Sequence, residues 1–163
     1  MKSTWIPIIS PMFLSYIVSS FDVSKFKENR RMENLGKLIL RLSVAGLMLF
    51  HGVAKLIHGI GGVKYLLGQA GLPQFLSYGV YVGEVIAPLL MIIGLYTRVS
   101  GLLIAFTMLL AIPLAHPDGL FQITEHGGLA IELSALYLLG ALAITLIGPG
   151  KFRLGNQRGF WKE

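Results

Sequence analysis

The chain has 163 residues, of which 54% are hydrophobic and 13% are charged, and its mean hydropathy is +0.69. Soluble domains carry about 25% charged residues, so this composition excludes an ordinary soluble domain and predicts a lipid-facing surface. The absence of cysteine excludes thiolate nucleophiles, disulfide relays and cysteine-ligated iron–sulfur clusters. The net charge is +6, but the basic residues flank apolar segments and form no patch with aromatic residues, which argues against nucleic-acid binding.

The first 31 residues precede the apolar pattern that dominates the chain. Residues 5–18 are apolar but too few to span a bilayer, and Pro7 and Pro11 interrupt them. A signal peptide is an alternative, because Val18-Ser19-Ser20 resembles a small-residue cleavage site, but the basic run at 25–31 argues against export. We expect an interfacial or disordered extension at 1–31, a membrane domain at 32–154 and a cytoplasmic tail at 155–163.

Four apolar segments follow in the membrane domain, at residues 38–57, 75–96, 99–115 and 129–147. A helix needs about 20 residues to cross a hydrocarbon core of about 30 Å, and each segment is close to that length. Lipid cannot satisfy a bare backbone, so the segments must be helical. The sequence therefore predicts an all-α, polytopic membrane four-helix bundle.

The loop between the first two segments, at residues 60–73, carries its own apolar pattern. Val63, Leu66, Leu67 and Ala70 recur at helical spacing, which is typical of a short interfacial helix.

The distribution of basic residues predicts the orientation of the bundle. Of the 14 lysines and arginines, only Lys55 and Lys64 fall at the outer end if the amino terminus is cytoplasmic. The positive-inside rule then gives both termini inside, in the inner (plasma) membrane. We expect Arg98 to anchor this topology and Arg41 to reach cytoplasmic phosphates.

Several short motifs appear in a characteristic order: His51-Gly52-Val53-Ala54-Lys55-Leu56, Gly71-Leu72-Pro73, Glu84 followed by Leu89 to Arg98, His116, Gly127-Gly128 with Glu132, and Gly148-Pro149-Gly150. This series resembles the DoxX family over roughly residues 35–154. The resemblance implies a four-helix membrane protein, related in some members to subunits of quinone-linked oxidoreductases and in others to oxidative-stress or detoxification assemblies.

Ionisable residues inside the spans are the candidate functional residues, because they are costly in lipid. Counted from the outer ends at about 1.5 Å per residue, His51, Lys55, Glu84 and Glu132 all lie in the outer half. Similar depth pairs Lys55 with Glu132 and His51 with Glu84. The alternative is that these pairs only hold the helices together. Small residues, among them Gly46, Gly52, Gly83 and Gly101, are expected to permit close helix packing.

The resulting hypothesis is an outer-leaflet pocket for a quinone or a similar lipophilic redox molecule. Glu84 and His51 would be the catalytic residues that exchange its protons, and Lys55, Glu132 and His116 would bind it. Electrons would come from a soluble or membrane oxidoreductase partner, since the chain has no evident redox centre. The rival hypotheses are a non-enzymatic membrane anchor or assembly partner and a small transporter, and a homo-oligomer is also open.

Metal and haem sites are weaker hypotheses. The loop residues His116, Asp118, Glu125 and His126 match no tight metal motif. The one pairing for haem, His51 with His116, joins residues at different depths. We therefore predict no metal site and no haem.

Overall fold

The computed structural model describes residues 23–154 apart from Asp118 and His126, with side chains from Glu28 onward. It divides into two units, Met1–Glu33 and Asn34–Glu163. The predicted extension is mostly outside the described residues, although the first helix already begins at Val23. The predicted tail at 155–163 lies outside them entirely.

Five helices make up the described chain. They are α1 (Val23–His58), α2 (Gly61–Gln69), α3 (Gln74–Ile93), α4 (Thr97–Ala115) and α5 (Glu132–Ile147). No strand forms among the described residues, where an isolated antiparallel bridge joins Ile123 to Leu129 in the loop before α5. The fold is therefore all-α, as the sequence predicts.

The third helix changes its geometry along its length. It opens as a 3₁₀ helix at Gln74–Tyr78, widens to a π-helical turn at Val82–Ile86 and continues as an α-helix at Ala87–Ile93. Pro88 explains the widening, because it has no N–H to donate to the carbonyl of Glu84, four residues earlier. π-helical turns of this kind are rare and occur frequently at functional sites.

Three helices are long and apolar enough to cross a membrane: Glu28–His58, Gln74–Ile93 and Thr97–Ala115. The fourth apolar helix, α5, has 16 residues and would reach about 24 Å. It is shorter than the predicted segment 129–147 because Leu129 to Ile131 belong to the preceding loop. The protein is thus a membrane protein with three candidate spans and a shorter apolar helix.

The interior and exterior of the bundle are both apolar. A core of Ala45, Met48, Met91, Ile104 and Ala141 comes from α1, α3, α4 and α5, and each of these side chains is buried. Large apolar side chains such as Phe50, Leu139 and Leu146 are exposed on the outside. An apolar exterior of this kind matches a lipid environment.

Glycines mark the closest contacts between neighbouring helices. A Cβ at Gly52 of α1 would overlap Glu84 of α3, and one at Gly83 of α3 would lie 2.7 Å from Thr107 Cβ of α4. A Cβ at Gly101 of α4 would lie 2.8 Å from Ala141 O of α5. A Cβ at Gly140 of α5 would lie 2.8 Å from the Val44 side chain of α1. Small residues let helix backbones approach in lipid. The four helices therefore close into a ring in the order α1, α3, α4, α5.

The short helix predicted in the first loop is present as α2. Leu67 is its buried residue, and the Lys64 ammonium lies 5.2 Å from the centroid of the Tyr78 ring at the start of α3. A cation over an aromatic face contributes about 0.5–1 kcal/mol at an exposed site. This contact and the Leu67 anchor tie α2 to the end of the bundle where α3 begins.

The other end of the bundle is closed by residues 148–154, here called the C-terminal strap. Arg41 is 3% exposed and donates hydrogen bonds from Nη1 to Pro149 O at 3.0 Å and from Nη2 to Phe152 O at 2.6 Å. Its predicted extension to cytoplasmic phosphates is wrong, because both Nη groups donate to these carbonyls inside the protein, while Nε is buried without a partner. Arg98 likewise donates to Thr145 O at 2.8 Å.

Candidate functional site

An ion pair between two helices forms the centre of the site. Lys55 Nζ of α1 donates to Glu84 Oε2 of α3, with the Glu84 side chain 4% exposed and the Lys55 side chain 28% exposed. An isolated charge at this depth would be expensive, and the pair removes the net charge. The pair therefore holds a carboxylate and an ammonium together inside an apolar bundle.

The backbone of α1 approaches the π-helical turn closely enough to bring these side chains together. Gly52 is buried against the Glu84 carbonyl, and Val85 Cγ2 would lie 2.8 Å from any Cβ at position 52. Lys55 follows Gly52 by three residues, so it lies on the same face of α1, one turn further on. Tyr81 adds a long hydrogen bond from its hydroxyl to Lys55 O, at 3.4 Å.

A cavity of about 150 Å³ lies beside the ion pair, inside the ring of helices. Its polar lining consists of His51, Lys55, Glu84, Ser134 and Tyr137. The apolar lining residues are Met48, Met108, Ala111 and Leu133. The structure thus brings three of the predicted site residues, His51, Lys55 and Glu84, around one cavity.

His51 faces a residue that the sequence analysis did not select. Its ring packs edge-on against the buried Tyr137 ring, with centroids 5.7 Å apart and planes at 86°. Such edge-to-face pairs contribute about 0.5–1.5 kcal/mol beyond burial. A tyrosine in the middle of an apolar helix carries a hydroxyl that lipid cannot satisfy. This polarity is the feature of the sequence that could have identified Tyr137.

The other two predicted site residues lie at the ends of helices. Glu132 is exposed at the first residue of α5, where a carboxylate is favoured by the helix dipole. His116 caps the end of α4, and its backbone N–H bonds to Ile112 O at 3.1 Å. Neither residue lines the cavity.

The pairing by depth is therefore wrong for Lys55, which bonds to Glu84 and not to Glu132. Pairing by depth assumes straight helices with a uniform rise per residue, whose ends lie at the same height in the membrane. In the structure the contact of Gly52 with the Glu84 backbone sets the register of α1 on α3, and the long lysine side chain covers the remaining difference. Glu132 is left at the first residue of α5.

Among the described residues, no group of three histidine, aspartate or glutamate side chains is arranged to hold a metal ion. Asp118 and His126, half of the loop set considered above, lie outside the described residues. Only His116 and Glu125 of that set are described, and no metal site is assigned to the loop.

Apolar helices around a polar cavity define a small integral membrane protein. The chain belongs to the DoxX family, whose model, described as DoxX, matches residues 36–117, half of the chain. The matched range contains His51, Lys55 and Glu84. No solved structure matches the chain.

Two relatives are similar to the chain. A Bacillus subtilis protein named "Putative oxidoreductase CatD" is 36% identical over 78 residues, which are 48% of this chain and 58% of that protein. A Haemophilus influenzae protein named "Uncharacterized protein" is 32% identical over 127 residues, 76% of this chain and 90% of that protein. The chain thus spans under two thirds of the Bacillus relative and most of the Haemophilus one.

Proposed function

We propose that this protein binds the head of a quinone, or of a similar lipophilic redox molecule, in the cavity beside the Lys55–Glu84 pair, as the membrane subunit of an oxidoreductase. The observation that carries the proposal is the convergence of His51, Lys55 and Glu84 on one cavity inside an apolar bundle. The oxidoreductase name of the Bacillus relative supports the class of reaction.

The size of the cavity fits this ligand class. A dry protein cavity of about 150 Å³ accepts a benzene ring, and the cavity here has a volume of about 150 Å³. The carbonyl oxygens of a quinone accept hydrogen bonds, and Lys55 is a donor at the cavity wall. A bound quinone would supply the two-electron redox chemistry that the side chains of this protein lack.

The residues of the cavity have distinct roles in this proposal. Lys55 holds a ligand oxygen, and the partly exposed position of its side chain lets it do so without leaving Glu84. Glu84 and His51 hold and move the protons that accompany reduction and oxidation, since carboxylate and imidazole are both effective proton-transfer groups. Electrons pass to or from an oxidoreductase partner that docks on the membrane subunit.

The proposal includes a place in the cell. The protein would lie in the inner (plasma) membrane with four spans and both termini cytoplasmic, and α2 would lie at the outer interface. The cavity would then open to the outer leaflet, where a lipophilic ligand is dissolved. Glu132 and His116 would lie near the same outer surface and contact the ligand only as it enters.

The test is binding by the purified protein in lipid nanodiscs, with quinone extracted and identified by mass spectrometry and binding measured by titration. Lys55→Met should lower quinone affinity at least about tenfold, which corresponds to about 1.4 kcal/mol, because it removes the donor to the ligand oxygen. Glu84→Gln should instead slow reduction of the bound quinone by a chemical reductant, because glutamine cannot carry the proton. Lys64→Met is the matched control for binding, because it makes the same chemical change at a residue that does not line the cavity. Unchanged quinone binding in Lys55→Met would refute the assignment of the cavity.

A further inference from the structure

A second cavity, here called the apolar groove, lies between α2, α3 and α4. Its volume is about 450 Å³, and its lining includes Leu67, Leu72, Val80, Thr107, Leu110 and Leu114. The polar atom among these side chains, Thr107 Oγ1, donates to Leu103 O at 2.8 Å. None of these side chains therefore has a hydrogen-bond donor available to a ligand. Such a lining is suited to a hydrocarbon chain.

The apolar groove meets the cavity beside the Lys55–Glu84 pair, here called the polar cavity, at a small residue. Among the described residues, Ala111 of α4 is the one that lines both. One turn before it, α3 and α4 are in tight contact, where a Cβ on Gly83 would collide with Thr107. One turn from that contact along α3, Gly79 and Val80 also line the groove, and a Cβ on Gly79 would meet nothing within 4 Å. The short side chain of Ala111 therefore leaves this junction little obstructed.

The volumes assign different parts of one ligand to the two cavities. The polar cavity, at about 150 Å³, has room for one six-membered ring. A long hydrocarbon chain attached to that ring must leave the cavity. The apolar groove provides about 450 Å³ of apolar space on the other side of Ala111.

We propose that the apolar groove holds the prenyl or alkyl chain of the molecule whose ring lies in the polar cavity, so that the ligand threads past Ala111 between α3 and α4. The inference rests on the proposed function, because it takes the ring-binding role of the cavity as given. The groove then selects ligands that carry a chain, and α2 forms the outer wall of the chain site through Leu67.

The experiment compares two quinones with the same small ring, 2-methyl-1,4-benzoquinone with and without a decyl chain, by titration in nanodiscs of one lipid composition. Leu110→Trp places a large side chain in the groove. Leu109→Trp is the matched control, since Leu109 is the neighbouring residue, is similarly exposed and lines neither cavity. Comparing each variant with the wild-type protein cancels the partition of the quinones into lipid.

We expect Leu110→Trp to weaken binding of the decyl quinone at least fivefold and to leave binding of the chainless quinone within twofold. Leu109→Trp should change neither. Leu114→Trp, further along the groove, should repeat the effect of Leu110→Trp. An unchanged preference for the decyl quinone in both groove variants would overturn the inference. Failure of the wild-type protein to bind either quinone would refute the proposed function instead.

Discussion

Gly52 lies directly against the main-chain carbonyl of Glu84, at the π-helical turn that Pro88 imposes on α3. This contact fixes the distance between α1 and α3 at the level of the ion pair. The backbone of one helix thus sets the position of the charged side chains on both. The contact and the ion pair can be tested separately.

Gly52→Ala should destabilise the bundle, because the added methyl group has no space between Glu84 and Val85. Overpacking of this kind costs about 1–3 kcal/mol. Gly46→Ala, in the same helix, is the control, since nothing lies within 4 Å of a Cβ at that position. The measurement is the melting temperature in detergent. Equal melting temperatures for the two variants would contradict the close approach at Gly52.

Lys55→Met should destabilise the bundle more than Glu84→Gln does. The lysine substitution leaves a carboxylate that is 4% exposed without its cation, whereas Lys55 is 28% exposed and can extend toward water. Removing one member of a buried pair costs about 3–5 kcal/mol, so we expect a loss near that range for Lys55→Met.

The double variant Lys55→Met with Glu84→Leu should recover most of the stability lost in Lys55→Met, because no charge is then left in the bundle. Denaturation of Lys55→Met, Glu84→Leu and the double variant in one detergent measures the coupling energy between the two residues. Additive losses would mean that the pair does not form in the folded protein.

Arg41→Met should loosen the C-terminal strap. It removes two hydrogen bonds to Pro149 O and Phe152 O, each worth about 1.5–3 kcal/mol when the donor is charged. The chain has no cysteine, so a single Phe152→Cys reports on the strap without background. Modification of that cysteine by a thiol reagent should become at least several times faster in the Arg41→Met background.

Lys151→Ala is the control for the strap experiment, since that residue contacts Asn34 through its backbone N–H and its side chain is exposed. It should leave the cysteine reactivity unchanged. An equal effect of Lys151→Ala and Arg41→Met would mean that charge near the strap, and not the hydrogen bonds of Arg41, controls its position.

The orientation of the protein can be read with reporters. A reporter fused after Glu163 should be cytoplasmic and one at Gly119 external, because the basic residues cluster at the predicted inner end. A membrane-impermeant thiol reagent should label Gln122→Cys in intact cells and Lys151→Cys only after lysis. Labelling in the opposite order would reverse the topology.

The sequence predicts the helices well because hydropathy over about 20 residues is a strong signal in a chain of this composition. It also identifies Gly52, Gly83 and Gly101 correctly as close-packing residues, but Gly46 meets nothing within 4 Å. Gly140, which contacts Val44, was missed. A glycine count on a helix does not say which face the neighbouring helix will use.

The lining of the cavity was predicted in part, for a similar reason. Polarity inside an apolar segment identified His51, Lys55 and Glu84, but the actual pair depends on the π-helical turn and on helix register. The strap was not predicted at all. Arg41 binds main-chain carbonyls, and every residue type has such a carbonyl, so the sequence carries no mark of Pro149 and Phe152 as its acceptors.

The bonds of Arg41 also constrain the order in which this protein is made. Pro149 and Phe152 are synthesised 108 and 111 residues after Arg41. During insertion α1 must therefore enter the membrane while the Arg41 guanidinium is still bound to water or lipid. Arg41 can bind its two carbonyl acceptors only after α5 and the C-terminal strap have left the ribosome. Closure of this end of the bundle therefore waits for Pro149 and Phe152, and a nascent chain stalled before residue 149 would present Arg41 without these acceptors.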